Sequence, residues 1–181
     1  MKSRLKNLYK YLIENRKHEV NGWHKAYRDF YSQVAQIRER ITSGEGLSQN
    51  DEAFLKQLIY EKSNGIASRG QSVLSNDNFQ SFIKNKNFIS ALEKFILIPN
   101  SENFTIFSDS WSNQGKSNNP VLVNRVAAAC TLEVSTTVDS GKFNQVFSWL
   151  IREGIIPAYP AEENQSWFAK NIFLLKSIKS E

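Results

Sequence analysis

The chain has 181 residues, of which 40% are hydrophobic and 12% aromatic, a composition typical of a folded domain and unlike that of a disordered chain. Its formal net charge is +5 at pH 7, and its one cysteine, Cys130, excludes an intrachain disulfide and therefore a secreted disulfide scaffold. No stretch approaches the roughly 18 apolar residues of a membrane-spanning helix. Charges interrupt the N-terminal sequence as they would not in a signal peptide, so we expect a cytoplasmic protein.

The positive charge is concentrated at one end of the chain. Residues 1–46 contain ten Lys or Arg and five Asp or Glu, whereas the remaining residues contain thirteen of each kind. A basic segment of this kind favours an acidic partner such as nucleic acid. Lys6 and Lys10 fall on one stripe of the first predicted helix, and we predict that they contact phosphates. The alternative is a solvated helix face without a partner.

Two amphipathic helices are predicted within this basic segment. In the first, apolar residues recur at steps of three and four from Leu5 to Ile13. In the second, the same steps continue over three heptads, through Val20, Trp23, Tyr27, Phe30, Val34, Ile37 and Ile41. We predict that this seam is buried against the first helix in an antiparallel hairpin. A contact between two copies of the chain is the alternative.

Further helices are predicted in chain order beyond the turn at 43–46. Ser48 with Asp51, Ser75, and Asn119 followed by Pro120 are helix-start signals. Apolar residues at helical spacing follow them, and no segment alternates with period two for long enough to form a secure strand. The predicted class is all-α, a compact multi-helix domain of about nine helices. It comprises a basic helical hairpin over residues 1–46 and a helical recognition domain over residues 47–181.

Residues that could support catalysis or bind a metal are scarce. His18 and His24 are six positions apart, which does not place them on one helix face, and no zinc-binding motif is present. Residues 113–117 resemble the end of a phosphate-binding loop, but Ser110 stands where that motif needs its first glycine. Cys130 lies on an apolar helix face and is expected to be buried. We therefore expect no cofactor and no enzymatic activity of the chain's own.

Three stretches together resemble a known family. They are Ser63-Asn-Gly-Ile-Ala-Ser-Arg-Gly-Gln71; Asn119-Pro-Val-Leu-Val-Asn-Arg-Val-Ala-Ala-Ala129 with Val134-Ser-Thr-Thr-Val138; and Lys142-Phe-Asn-Gln-Val-Phe-Ser-Trp-Leu150 with Trp167-Phe-Ala-Lys-Asn171. This arrangement, over roughly residues 55–180, resembles the helical N-terminal regions of McrB-type restriction ATPases. The chain lacks the AAA+ module and its phosphate-binding loop, so the resemblance implies an isolated target-recognition domain.

The resemblance implies a function in phage defence. We expect a specificity domain that binds modified or sequence-specific duplex DNA, methylated or unmethylated, within a restriction system. An AAA+ ATPase module and a nuclease subunit would be its protein partners and would carry any NTPase or nuclease activity. The alternative is a helical protein-interaction or oligomerisation module without DNA contact. Affinity for DNA should fall steeply with salt, whereas an apolar contact should not.

The predicted DNA contacts centre on the loop at 63–72. Arg and Asn or Gln side chains read base edges, and glycines let a backbone approach a ligand closely, so the loop is a candidate site. The predicted DNA-binding residues are Asn64, Ser68, Arg69, Gln71, Lys116, Arg125, Lys6 and Lys10. The loop could instead be a simple turn with Gly65 after a helix, and Arg125 could cap a neighbouring helix end. Likewise, Trp111, Trp149 and Trp167 could stack on a base or belong to the core.

Overall fold

Nine α-helices make up most of a computed structural model that describes residues 2–68, 70–114 and 119–179. They are α1 (Lys2–Asn15), α2 (Lys17–Thr42), α3 (Glu52–Leu55), α4 (Asn76–Lys84), α5 (Lys86–Leu97), α6 (Ser101–Ser112), α7 (Pro120–Cys130), α8 (Ser140–Arg152) and α9 (Trp167–Lys179). A 3₁₀ turn, Gln49–Asp51, precedes α3, and a π-helical turn, Lys56–Tyr60, follows it. The described ranges contain no strand, only an isolated bridge between Ser63 and Ser68. The predicted all-α class is confirmed.

Several helices start where a polar side chain caps the first backbone N–H groups. The Ser75 hydroxyl accepts from the Asn78 N–H, which confirms the predicted cap of α4. Asn85, Asn100 and Asp139 do the same for α5, α6 and α8, although their sequence signals were not among those used above. Helix α7 begins at Pro120, as predicted from the Asn-Pro pair. These caps fix the boundaries of the helices that surround the core.

Helix α7 lies at the centre of the molecule. All of its residues from Leu122 to Cys130 are buried, and it contacts α2, the π-helical turn, α6 and α9. The small side chains of residues 127–129 let the neighbouring helices approach closely on several sides. Cys130 is fully buried, and burial raises the pKa of its thiol to about 12, so the thiol stays protonated and packs as a small apolar group. The predicted burial of Cys130 is confirmed.

Among the described side chains of the α2 seam, the buried ones lie from Phe30 onward. Phe30, Val34 and Ile37 belong to the main core, where α2 packs against α5 and α7. Trp23, by contrast, is 64% exposed. The prediction that the whole seam is buried against the first helix is therefore wrong, because the buried positions face α5 and α7. The proposed division of the chain at residue 46 stays a prediction; these three residues share one core with residues from Phe54 onward.

Arg38 and Arg40, two of the basic residues of the first segment, stabilise this packing. The Arg38 guanidinium donates to the carbonyl oxygens of Ile96 and Cys130, both at 2.7 Å, at the C-terminal ends of α5 and α7. Those ends carry partial negative charge that a cation stabilises. Arg40 donates to both carboxylate oxygens of Asp51, at 2.7 and 3.0 Å. These two cations therefore serve the fold, which reduces the excess available to an acidic partner.

Candidate nucleic-acid interface

The loop from Ser63 to Ser68 is a tight turn held by Asn64. The Asn64 side-chain oxygen accepts from the backbone N–H groups of Ile66, at 3.0 Å, and Ala67, at 2.9 Å. Gly65 has a positive φ of 83°, and a Cβ atom there would lie 3.1 Å from the carbonyl oxygen of Ala26 in α2. A side chain at this position would therefore be strained and crowded, which explains why glycine occupies the point where the loop meets α2.

Asn64 is fully buried, so the prediction that it reads base edges is wrong. Its amide shapes the turn from inside instead of facing a ligand. Ser68 and Gln71 are exposed on the same loop and stay predicted contacts. The Ser68 hydroxyl also accepts from the Gly70 N–H, at 3.1 Å. Arg69 lies outside the described residues, so its role as a base contact stays a prediction.

Arg125 is also buried, against the prediction that it contacts DNA. Its guanidinium donates to the carbonyl oxygens of Leu58, at 3.0 Å, and of Glu61, at the end of the π-helical turn. This is the capping role that the sequence left open as the alternative. Arg125 therefore holds the segment that leads into the loop at 63–68, and it does not reach the surface.

A second loop, residues 131–139, is fixed by side chains from two helices. The Asn124 amide of α7 donates to the carbonyl oxygen of Val138, at 2.9 Å, and to the Ser140 hydroxyl, at 3.1 Å. From α9, the Trp167 indole N–H donates to the carbonyl oxygen of Thr137, at 3.0 Å. Asn171 of the same helix accepts from the backbone N–H of Ser135, at 2.8 Å. The backbone of this loop is thus held at several points.

The two loops and the N-terminal half of α2 enclose a groove of about 560 Å³. We call it the aromatic groove, and it is lined by Trp23, His24, Tyr27, Gly65, Ile66, Ala67, Ser68, Thr136 and Val138. None of these described lining residues is Lys, Arg, Asp or Glu. Partial burial raises the pKa of Tyr27 to about 12, so its phenol keeps its proton at neutral pH and can donate a hydrogen bond. The groove offers a partly aromatic surface without Lys, Arg, Asp or Glu among its described lining residues.

Basic side chains are exposed on α2, which lines the groove, and on α1, which contributes no residue to the described lining. Lys25 and Arg28 are exposed on α2, next in sequence to the lining residues His24 and Tyr27. On α1, the predicted phosphate contacts Lys6 and Lys10 are exposed, and Lys10 lies 3.8 Å from Glu14 in an exposed pair that contributes little. Lys116 lies outside the described residues, so its predicted contact stays untested. A groove without Lys, Arg, Asp or Glu among its described lining residues, on a helix that also exposes cations, can hold the base or sugar part of a nucleotide while phosphates meet the cations.

The tryptophans fall into two groups. Trp111 and Trp167 are buried and belong to the core, so they are unavailable for stacking on a base. Trp149 is partly exposed on α8, away from the lining of the groove. Trp23, which the sequence assigned to a buried seam, is the exposed indole of the groove. The spacing of apolar residues along α2 carried no signal for this difference, because exposed and buried aromatics share one periodicity.

Residues from parts of the stretches that carried the resemblance line this groove or bond to its walls. Residues 65–68 form one wall and residues 136–138 form part of another, while Asn124 and Arg125 hold both walls from α7. The third stretch contributes Trp167 and Asn171, which hold the second wall from α9. Each stretch is unspecific by itself. Together they build one feature of the surface.

Other kinds of site find little support in the described ranges. No group of three or more His, Cys, Asp or Glu side chains in the described part of the chain could hold a metal ion. Among the helices described, none is both long and apolar enough to cross a membrane. No family model matches the chain, and neither a curated protein nor a solved structure matches it. The resemblance to McrB-type proteins therefore stays a prediction.

Proposed function

We propose that this chain is a DNA-binding domain whose aromatic groove contacts the nucleotide and whose basic first helices contact the phosphates. The observation that carries this proposal is the exposed Trp23 indole in a groove whose described lining includes no Lys, Arg, Asp or Glu, on a helix that also exposes Lys25 and Arg28. Phosphate contacts supply affinity without regard to sequence, whereas discrimination needs groups that face the base. Here the groove residues Trp23 and Tyr27 and the cations Lys25 and Arg28 are carried by one helix, α2.

Within this proposal, selectivity depends on the two loops that line the groove. Ser68 and Thr136 are exposed hydroxyls at its walls, and Tyr27 supplies a donor from α2. Hydroxyl groups can donate to or accept from base edges. Arg69 and Gln71 extend the same loop and stay proposed base contacts. By the sequence resemblance, the natural ligand is duplex DNA, modified or unmodified, in a restriction system with a separate ATPase module and nuclease.

Under this proposal, the chain is a binding domain without catalytic activity of its own. Cys130, the one thiol, is buried and protonated, which removes it as a nucleophile. Turnover of ATP or GTP, or cleavage of DNA, would have to come from other domains or subunits. Magnesium-dependent hydrolysis of either nucleotide by the pure chain would contradict this part of the proposal.

The competing function is a protein-interaction module based on the α2 seam. Phe30, Val34 and Ile37 are committed to the core of the same chain, so they are unavailable to a partner. Of the seam positions whose side chains the structure describes, that leaves Trp23 exposed and Tyr27 and Ile41 half-buried. With so few seam positions exposed, the docking of a partner helix on α2 is less well supported than it would be by a fully exposed seam.

A nuclear magnetic resonance titration tests where DNA binds. We expect a 12-base-pair duplex to shift the backbone amide signals of residues 23–28, 65–68 and 136–138, with methylated and unmethylated duplexes compared. Amides of residues 80–93, which belong to a separate groove beside α4 and α5, should stay unchanged. No shifts at low salt, or shifts confined to 80–93, would contradict the proposal. Concentration-dependent self-association without DNA binding would favour the interaction module.

A further inference from the structure

Two adjacent side chains of the central helix hold opposite walls of the aromatic groove. Asn124 donates to the Val138 carbonyl and the Ser140 hydroxyl, at the end of the loop that contributes Thr136 and Val138. Arg125 donates to the Leu58 and Glu61 carbonyls, just before the loop that contributes residues 65–68. Successive helical residues point about 100° apart, so neighbours on one helix can reach two different segments.

Both side chains are buried, and neither lines the groove. We infer that Asn124 and Arg125 are paired positioning residues: they set the separation of the two walls without touching the ligand. The inference rests on the proposed function, because the separation of the two walls is expected to select the ligand of the groove. Buried polar groups need hydrogen-bond partners, and here the partners include backbone carbonyls of the two segments that form or lead into the walls.

The wall that contains Thr136 and Val138 has another attachment, which comes from α9 and not from α7, and this makes the inference testable. Trp167 donates from α9 to the Thr137 carbonyl, one residue from Thr136 and Val138. Replacing Trp167 with Phe removes this donor and keeps most of the ring volume. Replacing Asn124 with Ala removes the attachment from α7. Both changes should loosen the same wall, whereas Val126→Ala, also buried in α7, removes apolar volume without removing a bond to either loop.

Hydrogen exchange of the protein without DNA measures the positioning directly. We expect the amides of Ser135 and Val138 to exchange about tenfold faster or more in Asn124→Ala and Trp167→Phe than in Val126→Ala. The comparison is made at denaturant concentrations that equalise global stability. Equal exchange in the three variants would overturn the inference, whatever the DNA result. Asn124→Leu, which removes the same amide donor with a side chain of similar size, keeps the test available if Asn124→Ala does not fold.

A double-mutant cycle measures the consequence for binding to a fluorescein-labelled duplex. Trp23→Ala should weaken binding about 5- to 100-fold, because stacking on an aromatic ring contributes on that scale. Asn124→Ala should lose a similar factor, and the double variant should lose little more, since both changes act through one groove. Multiplicative losses, or an equal loss in Val126→Ala, would overturn the inference. Absence of wild-type binding would overturn the proposed function, while hydrogen exchange would still decide the positioning.

Discussion

Arg38 acts on the fold through the ends of two helices at once. Its guanidinium donates to the last turns of α5 and α7, and it is carried by α2, so one side chain joins three helices. Arg152 of α8, by comparison, is an exposed residue that pairs with Glu153, at 3.6 Å. The two arginines look alike in the sequence, where both follow an apolar helix position.

Replacing Arg38 with Met should therefore lower the free energy of unfolding by about 1.5–3 kcal/mol, the range for hydrogen bonds made by a charged group. Arg152→Met is the matched control and should change it by less than about 0.5 kcal/mol, because its ion pair is exposed. Urea unfolding followed by circular dichroism gives both values. Equal effects would show that the Arg38 bonds do not stabilise the packing.

Asp51 makes a pH-dependent contribution to stability. Its hydrogen bonds with the Arg40 guanidinium, together with those from Ser48, hold the pKa of this carboxyl below its ordinary value despite burial. A carboxyl whose pKa is lowered by folding stabilises the folded state above its unfolded pKa, about 3.9. That contribution is lost as the pH falls through the lower, folded pKa.

Asp51→Asn should accordingly destabilise the protein at pH 7, and its difference from the wild type should shrink as the pH falls below about 4. Glu162→Gln, at an exposed position, serves as the control and should show little difference at either pH. Urea unfolding between pH 2.5 and pH 7 measures this. A wild-type advantage that stays constant down to pH 2.5 would contradict the proposed role of the ion pair.

At the scale of elements, α2 has two halves with different tasks. Its C-terminal half is core, with Phe30 stacked on Phe54 at a centroid distance of 5.8 Å. Its N-terminal half presents Trp23 and Tyr27 to the groove. The apolar periodicity predicted the helix correctly but not this division, because burial depends on which distant elements pack against each turn. Here those elements are α5 and α7, whose approach no local pattern reports.

Because the two halves of α2 differ in burial, we expect one aromatic substitution to change stability and the other to change DNA binding. Phe30→Ala should cost about 3–5 kcal/mol of stability, since the ring is 1% exposed. Trp23→Ala should cost less than about 0.5 kcal/mol but weaken DNA binding. Chemical unfolding and an anisotropy titration on both variants separate the effects. A large stability loss in Trp23→Ala would place its indole in the packing and contradict the groove.

The loops show the same limit of sequence-based prediction. Turn chemistry and the spacing of apolar residues predicted the helices and the loop at 63–72, because those signals are local. Asn64 and Arg125 were predicted as DNA contacts from residue type, and both are buried. Asn64 bonds to backbone groups of its own turn, whereas Arg125 bonds to carbonyl oxygens 64 and 67 positions away in the sequence. Only the three-dimensional structure brings residues near 24, 66 and 137 into one groove.

For the whole molecule, the proposed DNA binding has two parts with different dependence on salt. Exposed cations such as Lys6 and Lys10 should release counterions on meeting phosphates, so we expect their contribution to fall with ionic strength. No Lys, Arg, Asp or Glu is among the described lining residues of the aromatic groove, so its contribution should depend less on salt than that of the cations. The two parts can be separated in one series of titrations.

The most direct test is the slope of log affinity against log salt for a labelled duplex, measured by fluorescence anisotropy. Lys6→Gln with Lys10→Gln should flatten the wild-type slope by up to about two. Trp23→Ala should lower affinity by a similar factor at every salt concentration and leave the slope unchanged. A wild-type protein that fails to bind at low salt, or a Trp23→Ala variant that binds as well as the wild type throughout, would contradict the account.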